Sequence, residues 1–455
     1  MRHTRSQKNY YQLDCHMSNS TARVITRFPP SPTGLLHVGT LRTGLFNYYF
    51  AKQNGGEMKF RVEDTDKERS KKEYEKNIID SMAWIGIALG EPMRQSERGL
   101  IYKKYLKRLI DTGYAYISKE TPTEAEERSE VIRFKNPNKV VVFEDLILGP
   151  IEVDTTDLGD FVIAKDMDTP LYHLAVVVDD IETGVTHVIR GQDHVSNTPR
   201  QILIVEAFGA KRPEYAHLPL ILAPDKTKLS KRHGAVSVTQ YKDDGYLPEA
   251  LINFISFVGF NPGGKREIYS LEELTRLFKL ENVQKGGGVF DITKLNWMNR
   301  EYIKTMSDNN FCEKLLEYLP KSFVVSSDYS QEKLNKLLPI IKDRIEKFGD
   351  VTDMINNNEL DYLFKAPSYD NSMLKTAEFI PELISKLNEV NSDNFTAEQV
   401  KHAIWDFSTE KGRGKVLWPM RVALSGREKS PDPFTLAEVL GKEETIKRLN
   451  EAITK

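Results

Sequence analysis

Three prolines and two glycines fall within the fourteen residues Arg27-Phe28-Pro29-Pro30-Ser31-Pro32-Thr33-Gly34-Leu35-Leu36-His37-Val38-Gly39-Thr40, and they leave the backbone few choices. Val24-Ile25-Thr26, just before, is β-branched and reads as a strand. Just after, Leu41, Leu45, Tyr48 and Tyr49 recur at three- and four-residue steps, as on one face of a helix, and Asn54-Gly55-Gly56 supplies its stop. The run is therefore a strand, a Pro/Gly-rich turn and a helix start. A helix N-terminus carries unpaired N–H groups and a partial positive charge, which suits a phosphate. Gly39 admits a ligand close to the backbone, and His37 can hydrogen-bond a phosphate oxygen. A His-x-Gly pair alone is more often an ordinary turn, so its company decides.

That company lies far downstream. Lys228-Leu229-Ser230-Lys231-Arg232 puts three cations and a hydroxyl in five residues, after the strand-like His217-Leu218-Pro219-Leu220-Ile221-Leu222. A basic loop is usually a solvated surface, but phosphate-binding loops sit at such strand ends in parallel sheets. Between the two, Met58 to Glu63 alternates as a strand and runs into Asp64-Thr65-Asp66. Carboxylates there suit a metal, an ammonium group or helix N-caps. Helices are expected over about Lys71 to Ala88 and from Arg98 towards Gly113. Strand, helix, strand, helix is half of a doubly wound sheet.

From about Tyr116 to Pro170 the pattern changes to short strands at Val131–Phe134, Val140–Phe143, Ile151–Val153 and Phe161–Ile163, an insertion that splits the sheet. The sheet is expected to resume at the apolar run Tyr172 to Asp180, followed by a strand at Val185 to Arg190 and a helix opened by Thr198-Pro199. An arginine at the end of a parallel strand points into the ligand crevice. Beyond the basic loop helices dominate, among them Pro248–Val258, Gln331–Phe348, Thr396–Phe407 and Lys415–Leu424. Lys411-Gly412-Arg413-Gly414-Lys415 reads as a flexible basic loop leading to Trp418 and Arg421, a composition suited to phosphate contact and base stacking.

With 455 residues there is room for two to four domains. The net charge of −2 gives no global field for nucleic acid, so any RNA contact must use local basic patches. Two cysteines far apart, Cys15 and Cys312, fit a reducing compartment and exclude a Cys-rich zinc site. No apolar run is long enough to span a membrane. Residues 1–22 lack an apolar core for a secretory signal and are expected to be a disordered extension.

PSPTGLLHVGT and KLSKRHGA resemble the two signature motifs of the class I aminoacyl-tRNA synthetases, in the versions of bacterial glutamyl enzymes, and RVEDTD and THVIRGQDH resemble two further motifs of that family. Thr40 stands where the first motif classically ends in histidine, and Gln192 where the family usually has glutamate. The resemblance runs from about Val24 to the C-terminus. It implies an α/β plus all-α fold: a Rossmann-type catalytic domain split by an α+β connective insertion, then helical stem-contact and anticodon-binding domains. The boundaries expected are 23–115 and 172–224 for the catalytic halves, 116–171 for the insertion that cradles the tRNA acceptor end, 225–305 for the basic loop and stem-contact region, and 306–455 for the anticodon-binding region.

By the same resemblance the substrates are L-glutamate, ATP with Mg²⁺, and tRNA-Glu, with tRNA bound before glutamate is activated. His37, Lys228 and Lys231 would act on the phosphates, and Ser31, Thr33, Gly34, Gly39, Thr40 and Ser230 would help hold ATP. Arg27, Ser31, Glu63, Tyr172, Arg190 and His194 would form the glutamate pocket, Glu63 receiving the ammonium group. Which arginine takes the γ-carboxylate is left open. Lys411, Arg413, Lys415, Trp418 and Arg421 would contact tRNA. Relatives often carry a zinc-binding cysteine cluster near Ala115-Tyr116-Ile117-Ser118; this chain has no cysteine there, so no zinc and no protein-held metal are expected. A cytoplasmic monomer is the family expectation. Glutaminyl enzymes differ at Ser31, Thr33, Glu63 and Asp66, although Phe28-Pro29-Pro30 is their spelling. A truncated tRNA-modifying relative lacks the C-terminal region, and a catalytically dead paralogue would not keep both phosphate motifs.

Overall fold

The computed structural model describes residues 23–120, 130–229, 237–326 and 329–454. Two expectations fall outside them: the N-terminal extension, and Ser230 and Lys231 of the basic loop. Strands β1 (Ile25–Phe28), β2 (Glu57–Val62) and β3 (Met93–Arg94) are parallel and lie in chain order. Helices α1 (Val38–Gln53), α2 (Lys72–Trp84) and α3 (Gly99–Asp111) follow them. Leu41, Leu45, Phe46 and Tyr49 of α1 pack fully buried with Phe28, Phe60 and Val62 of the strands. Gly86, at φ 81°, turns the chain after α2, which therefore stops short of Ala88.

The insertion begins with β4 (Ala115–Lys119) and β5 (Glu130–Phe134), continues with β6 (Val140–Asp145) and β7 (Gly149–Asp154), and ends with β8 (Phe161–Asp166) and β9 (Thr169–Pro170). Four of these strands form an antiparallel sheet in the order β4-β5-β8-β9. The other two do not. The β6–β7 hairpin adds to the parallel sheet, through α4 (Tyr172–Glu182), β10 (His187–Gly191), α5 (Thr198–Ala207) and then β11 (Glu214–Leu218), in the order β10-β11-β6-β7. The insertion is thus welded to the nucleotide fold at Asp145, which pairs with Tyr215.

One expectation fails here. Residues 172–180 are not a strand but helix α4. Leu174 to Asp179 are buried on every side, against α3, α5 and β8. A segment buried all round has no polar face, so its sequence carries neither the helical nor the strand period, and Val176-Val177-Val178 tips a reader towards β.

The two parallel groups meet along β1 and β10 without a regular ladder. Ile25 N donates to Thr186 Oγ1 at 2.9 Å and Thr186 N to Ile25 O at 2.9 Å. Towards the C-terminal ends, side chains replace the ladder: Asn47 Nδ2 and Arg27 Nη1 both donate to Ile189 O, at 2.9 and 3.5 Å. The strands therefore part there.

After β12 (Ile221–Leu222) come α6 (Val238–Asp243), α7 (Pro248–Phe257), α8 (Leu271–Leu277), β13 (Gly288–Val289) and α9 (Ile292–Thr305). The rest is helical: α10 (Asp308–Tyr318), α11 (Lys321–Val324), α12 (Gln331–Arg344), α13 (Gly349–Asn356), α14 (Asp361–Phe364), α15 (Ile380–Asn388), α16 (Ala397–Lys411), α17 (Arg413–Ser425) and α18 (Pro433–Thr454). Their core, with Phe311, Leu337, Phe348, Ile404 and Leu424, reaches back to Leu247, Ala250 and Ile303. The expected loop Lys411–Lys415 is a second correction. It is a junction at Gly412 alone, φ 96°, between α16 and α17. Only glycine adopts that φ cheaply, which lets two helices abut without a loop.

Gly245, at φ 91°, is the tightest joint between the two halves. Phe348 N donates to Gly245 O at 3.0 Å, and a Cβ on Gly245 would stand 2.3 Å from Gly349 N. Gly245→Ala is expected to lose about 2 kcal/mol or more of stability. Chemical denaturation checks this, and an unchanged midpoint would mean that the joint yields freely.

Candidate active site

Chain order reverses between β1 and β10. From β1 the strands proceed outward to β2 and β3; from β10 they proceed the other way to β11. A cleft opens at such a point above the strands' C-terminal ends. Arg27 stands on one wall and Arg190 on the other, both buried.

The floor is an ionic network. Its hub is Arg61, fully buried in β2. Arg61 Nη1 is 2.6 Å from Asp180 Oδ1 and Nη2 is 3.0 Å from Glu63 Oε1. Arg27 Nε lies 3.5 Å from the same Asp180 oxygen. Asp179, next along α4, accepts from Gln95 Nε2 at 2.8 Å, Arg98 Nε at 2.7 Å and Tyr102 Oη at 3.0 Å. Burial alone would raise the Asp180 carboxyl, but Arg61 and Arg27 outweigh it and hold it below its ordinary range. Burial raises Glu63, with Arg61 and Arg27 pulling it back only in part.

Four guanidiniums, of Arg27, Arg61, Arg98 and Arg190, thus meet three carboxylates, of Glu63, Asp179 and Asp180. A fourth buried carboxylate, Asp145, reaches Arg190 only through His217, so Arg190 is the guanidinium here that touches no carboxylate. Among the described residues it has only neutral hydrogen-bond partners: His217 Nε2 at 3.1 Å, Gln201 Oε1 at 2.8 Å and Thr198 Oγ1 at 2.8 Å. At 5% exposure, burial lowers its pKa, so an anion arriving there relieves a strained cation. Tyr172, the first residue of α4, faces the same space. Its hydroxyl is 3.3 Å from His194 Nδ1, and burial and then Glu63 raise its pKa. The structure therefore brings Arg27, Glu63, Tyr172, Arg190 and His194 together.

Asp64 and Asp66 do not join them. Asp64 accepts from Ser96 N and Oγ at 2.8 and 2.5 Å, and Asp66 from Arg69 N and Nε at 3.1 and 2.6 Å. Both act as turn caps.

The second wall of the cleft is the Pro/Gly turn. Thr33 N donates to Ser31 O at 2.9 Å, and Lys71 N to Pro32 O at 3.0 Å. His37 is the N-cap of α1; its Nδ1 accepts from Thr40 N at 3.4 Å and its Nε2 lies 3.1 Å from Thr40 Oγ1. A side chain on Gly39 would press against the imidazole, 3.2 Å from Nδ1, while Gly34 stands in open space. Leu36-His37 pairs with Ser237-Val238, just past the basic loop: Val238 N donates to Leu36 O at 2.8 Å. Asn77 clamps both sides, accepting from Leu36 N at 2.9 Å and donating to Thr239 Oγ1 at 2.6 Å. Lys228 is exposed at the other end of that loop, paired with Leu222. Buried Arg42 ties α1 to this region by donating to Val258 O at 3.0 Å and to Pro219 O. With no carboxylate beside it, burial lowers Arg42 to about 10.

The candidates in α16 and α17 lie in the separate helical core. Lys411 pairs with Glu410 at 2.9 Å, and Arg413 stacks on Trp405 at 4.2 Å from the ring centre. Trp418 donates its indole N–H to Met373 O at 2.8 Å, and Lys375 sits 4.2 Å over its ring. Arg421 is half-buried and Lys415 exposed.

Arg61, Asp179, Asp180, Asp145 and His217 were not picked out from the sequence. A signal existed for three. Arg61 interrupts the apolar end of β2, and Asp179-Asp180 ends the most apolar run in the chain; charges in such places need each other.

The chain is similar to known proteins over most of its length. Residues 23–130 and 121–297 match the family of class I tRNA synthetases (E and Q), catalytic domain, and residues 310–453 match an anticodon binding domain. A glutamate–tRNA ligase of Carboxydothermus hydrogenoformans is 37% identical over 94% of this chain and 99% of its own; that of Aquifex aeolicus is 39% identical over 95% and 99%. The crystal structure of a glutamate tRNA ligase from Elizabethkingia meningosepticum, in complex with its amino acid, superposes with a TM-score of 0.85 at 34% identity, covering 95% of this chain and all of that one.

Removing the anion that Arg27 and Arg61 share leaves Arg27 buried without its ion-pair partner and Arg61 with Glu63 and the more distant Asp179. Asp180→Leu is expected to cost about 3–5 kcal/mol in urea unfolding. A loss below about 1 kcal/mol would show that the network does not depend on Asp180.

Proposed function

Because the chain belongs to the glutamate–tRNA ligases of the class I tRNA synthetases, we propose that the cleft between β1 and β10 carries out both steps of that reaction. The reading rests on Arg190, a buried guanidinium that touches no carboxylate among the described residues. Glutamate has a side-chain carboxylate to offer it; glutamine has a neutral amide. The guanidinium is paired by the first and left without an anion by the second.

Arg190 lacks an acidic partner and is the group best suited to the γ-carboxylate, with Arg27 beside it and the Tyr172 hydroxyl, oriented by His194, as a further donor. Glu63 accepts the ammonium group. One α-carboxylate oxygen then attacks the α-phosphorus of ATP in line. The bond to the bridging oxygen of pyrophosphate breaks, giving glutamyl-adenylate. Positioning and charge stabilisation suffice for such a step, without a protein nucleophile. The N–H groups opening α1, with Ser31, Thr33, Gly34, His37, Gly39 and Thr40, hold the nucleotide from one side. Lys228, Ser230 and Lys231 meet its phosphates from the other. In the second step the hydroxyl of the 3′-terminal adenosine attacks the activated carbonyl and AMP leaves. Mg²⁺ accompanies ATP on phosphate and water oxygens; among the described residues no group of three His, Cys, Asp or Glu is placed to hold a metal.

The insertion, 116–171, receives the acceptor end, 225–305 the stem and 306–455 the anticodon, where Lys411, Arg413, Lys415, Trp418 and Arg421 supply charge and an aromatic surface. No helix among the described residues is long and apolar enough to cross a membrane. We place the enzyme in the cytoplasm as a monomer.

Charging of purified tRNA-Glu and tRNA-Gln with glutamate, ATP and Mg²⁺ tests the reading. Charging of tRNA-Glu alone marks a discriminating enzyme, charging of both a non-discriminating one, and charging of neither by folded protein contradicts it. Lys231→Ala is expected to lower kcat far more than it raises KM for glutamate, because the charge acts on the departing pyrophosphate; an unchanged kcat removes Lys231 from the catalytic set. Glu63 has a raised pKa, and substrate ammonium needs its ionised form. As pH falls through that pKa the protonated fraction grows, so kcat/KM for glutamate must fall on the acid side. Glu63→Gln should raise KM about tenfold to hundredfold and flatten that limb. A wild-type profile level from pH 8 to 5 would contradict the assignment.

A further inference from the structure

Arg190 is held from behind by a fully buried chain of two residues that begins in the insertion. Asp145, the last residue of β6, is 1% exposed; His217, on β11, is 0% exposed. Asp145 Oδ2 is 2.6 Å from His217 Nδ1, and His217 Nε2 is 3.1 Å from Arg190 Nε. An arginine Nε–H can only donate, so Nε2 must carry a lone pair and the ring proton must sit on Nδ1. Asp145 imposes that tautomer, because a carboxylate accepts only. Its other oxygen, Oδ1, is fixed by Ile147 N at 3.0 Å, Leu148 N at 2.9 Å and His217 N at 3.3 Å. The carboxylate therefore cannot turn.

We propose that Asp145 and His217 are positioning residues for glutamate recognition: Asp145 fixes His217 in its Nδ1–H tautomer, and the Nε2 lone pair of His217 aims the guanidinium of Arg190 at the substrate's side-chain carboxylate. The couple rests on the assignment of Arg190 to the glutamate pocket. It also makes the insertion a supplier of one buried residue to the amino-acid site, because β6 carries Asp145 and joins the parallel sheet beside β11. His217 stays neutral in this arrangement: burial lowers its pKa, and although Asp145 raises it, Arg190 and Arg27 lower it again. A doubly protonated ring would point a second N–H at Arg190.

Asp145→Asn inverts the tautomer with little change of shape. The three backbone N–H groups keep the amide oxygen at the Oδ1 place, so the amide nitrogen replaces Oδ2 and donates to Nδ1. The proton moves to Nε2, and Arg190 Nε loses its acceptor while Gln201 and Thr198 still hold the two terminal nitrogens. His217→Leu removes the acceptor outright. His217→Gln keeps an oxygen where Nε2 was.

The experiment is steady-state aminoacylation with tRNA-Glu, on the full chain, for Asp145→Asn, His217→Leu, His217→Gln and Arg190→Ala, each first checked by thermal melting. The proposal expects KM for glutamate to rise about tenfold to hundredfold in Asp145→Asn and His217→Leu, with kcat and KM for ATP nearly unchanged, and His217→Gln to recover most of the loss. ¹⁵N-histidine spectra, with the His217 signal identified by its absence in His217→Gln, should show Nδ1–H in the wild type and Nε2–H in Asp145→Asn. A raised KM in Arg190→Ala beside a wild-type KM in Asp145→Asn and His217→Leu overturns the positioning role alone. So does a uniform fall of kcat and both affinities that His217→Gln does not repair. An unchanged KM in Arg190→Ala overturns the pocket assignment itself. If Asp145→Asn does not fold, the contrast between His217→Leu and His217→Gln decides.

Discussion

A buried guanidinium without a carboxylate is the condition on which the proposed amino-acid site depends. Arg190 is kept charged by three neutral acceptors, and none of them cancels its charge. Everything around it is arranged so that the deficit stays local. Arg61 gathers Glu63 and Asp180, Arg98 takes Asp179, and Arg27 shares Asp180. Each of these cations has a carboxylate within the protein, and removing a partner would leave a buried charge costlier than the pair is worth. Arg190 alone of the four is left for an anion from outside, and an anionic side chain is what separates glutamate from glutamine.

The fold makes that balance possible by parting its own sheet. At the C-terminal ends of β1 and β10 the backbone ladder gives way to side chains from Asn47 and Arg27, and the gap this leaves is the pocket. The phosphate wall is handled by a different device. Leu36-His37 and Ser237-Val238 are paired to each other, with Asn77 bonded to both, so the turn before α1 and the end of the basic loop move as one unit. Two chain segments separated by some two hundred residues are thus held side by side, as the proposed nucleotide site requires.

Much of this was legible in the sequence, and unevenly so. Strand–turn–helix at Arg27 to Gln53 is local chemistry: prolines and glycines shape the turn, and Asn54-Gly55-Gly56 marks where the helix stops. The family motifs carried the crevice residues Arg27, Glu63, Tyr172 and Arg190, because each sits at an element end where spacing is diagnostic. Helix α4 was misread because full burial erases periodicity. The junction at Gly412 was misread because a Lys/Arg/Gly run looks the same whether it loops or caps. Asp145 and His217 were invisible for another reason. Their partners are 72 and 27 residues away in the chain, and only the packed structure shows which buried groups meet.

The measurement that tests the charge account most directly is the ratio of kcat/KM for glutamate to that for glutamine, in the wild type and in Arg190→Leu. If the guanidinium without a carboxylate is what selects, the wild type should favour glutamate by about a thousandfold or more, as expected of a site whose buried polar group would otherwise stay unpaired. Arg190→Leu should lose most of that ratio through glutamate alone. A ratio that survives in Arg190→Leu would contradict the account and transfer discrimination to the shape of the pocket.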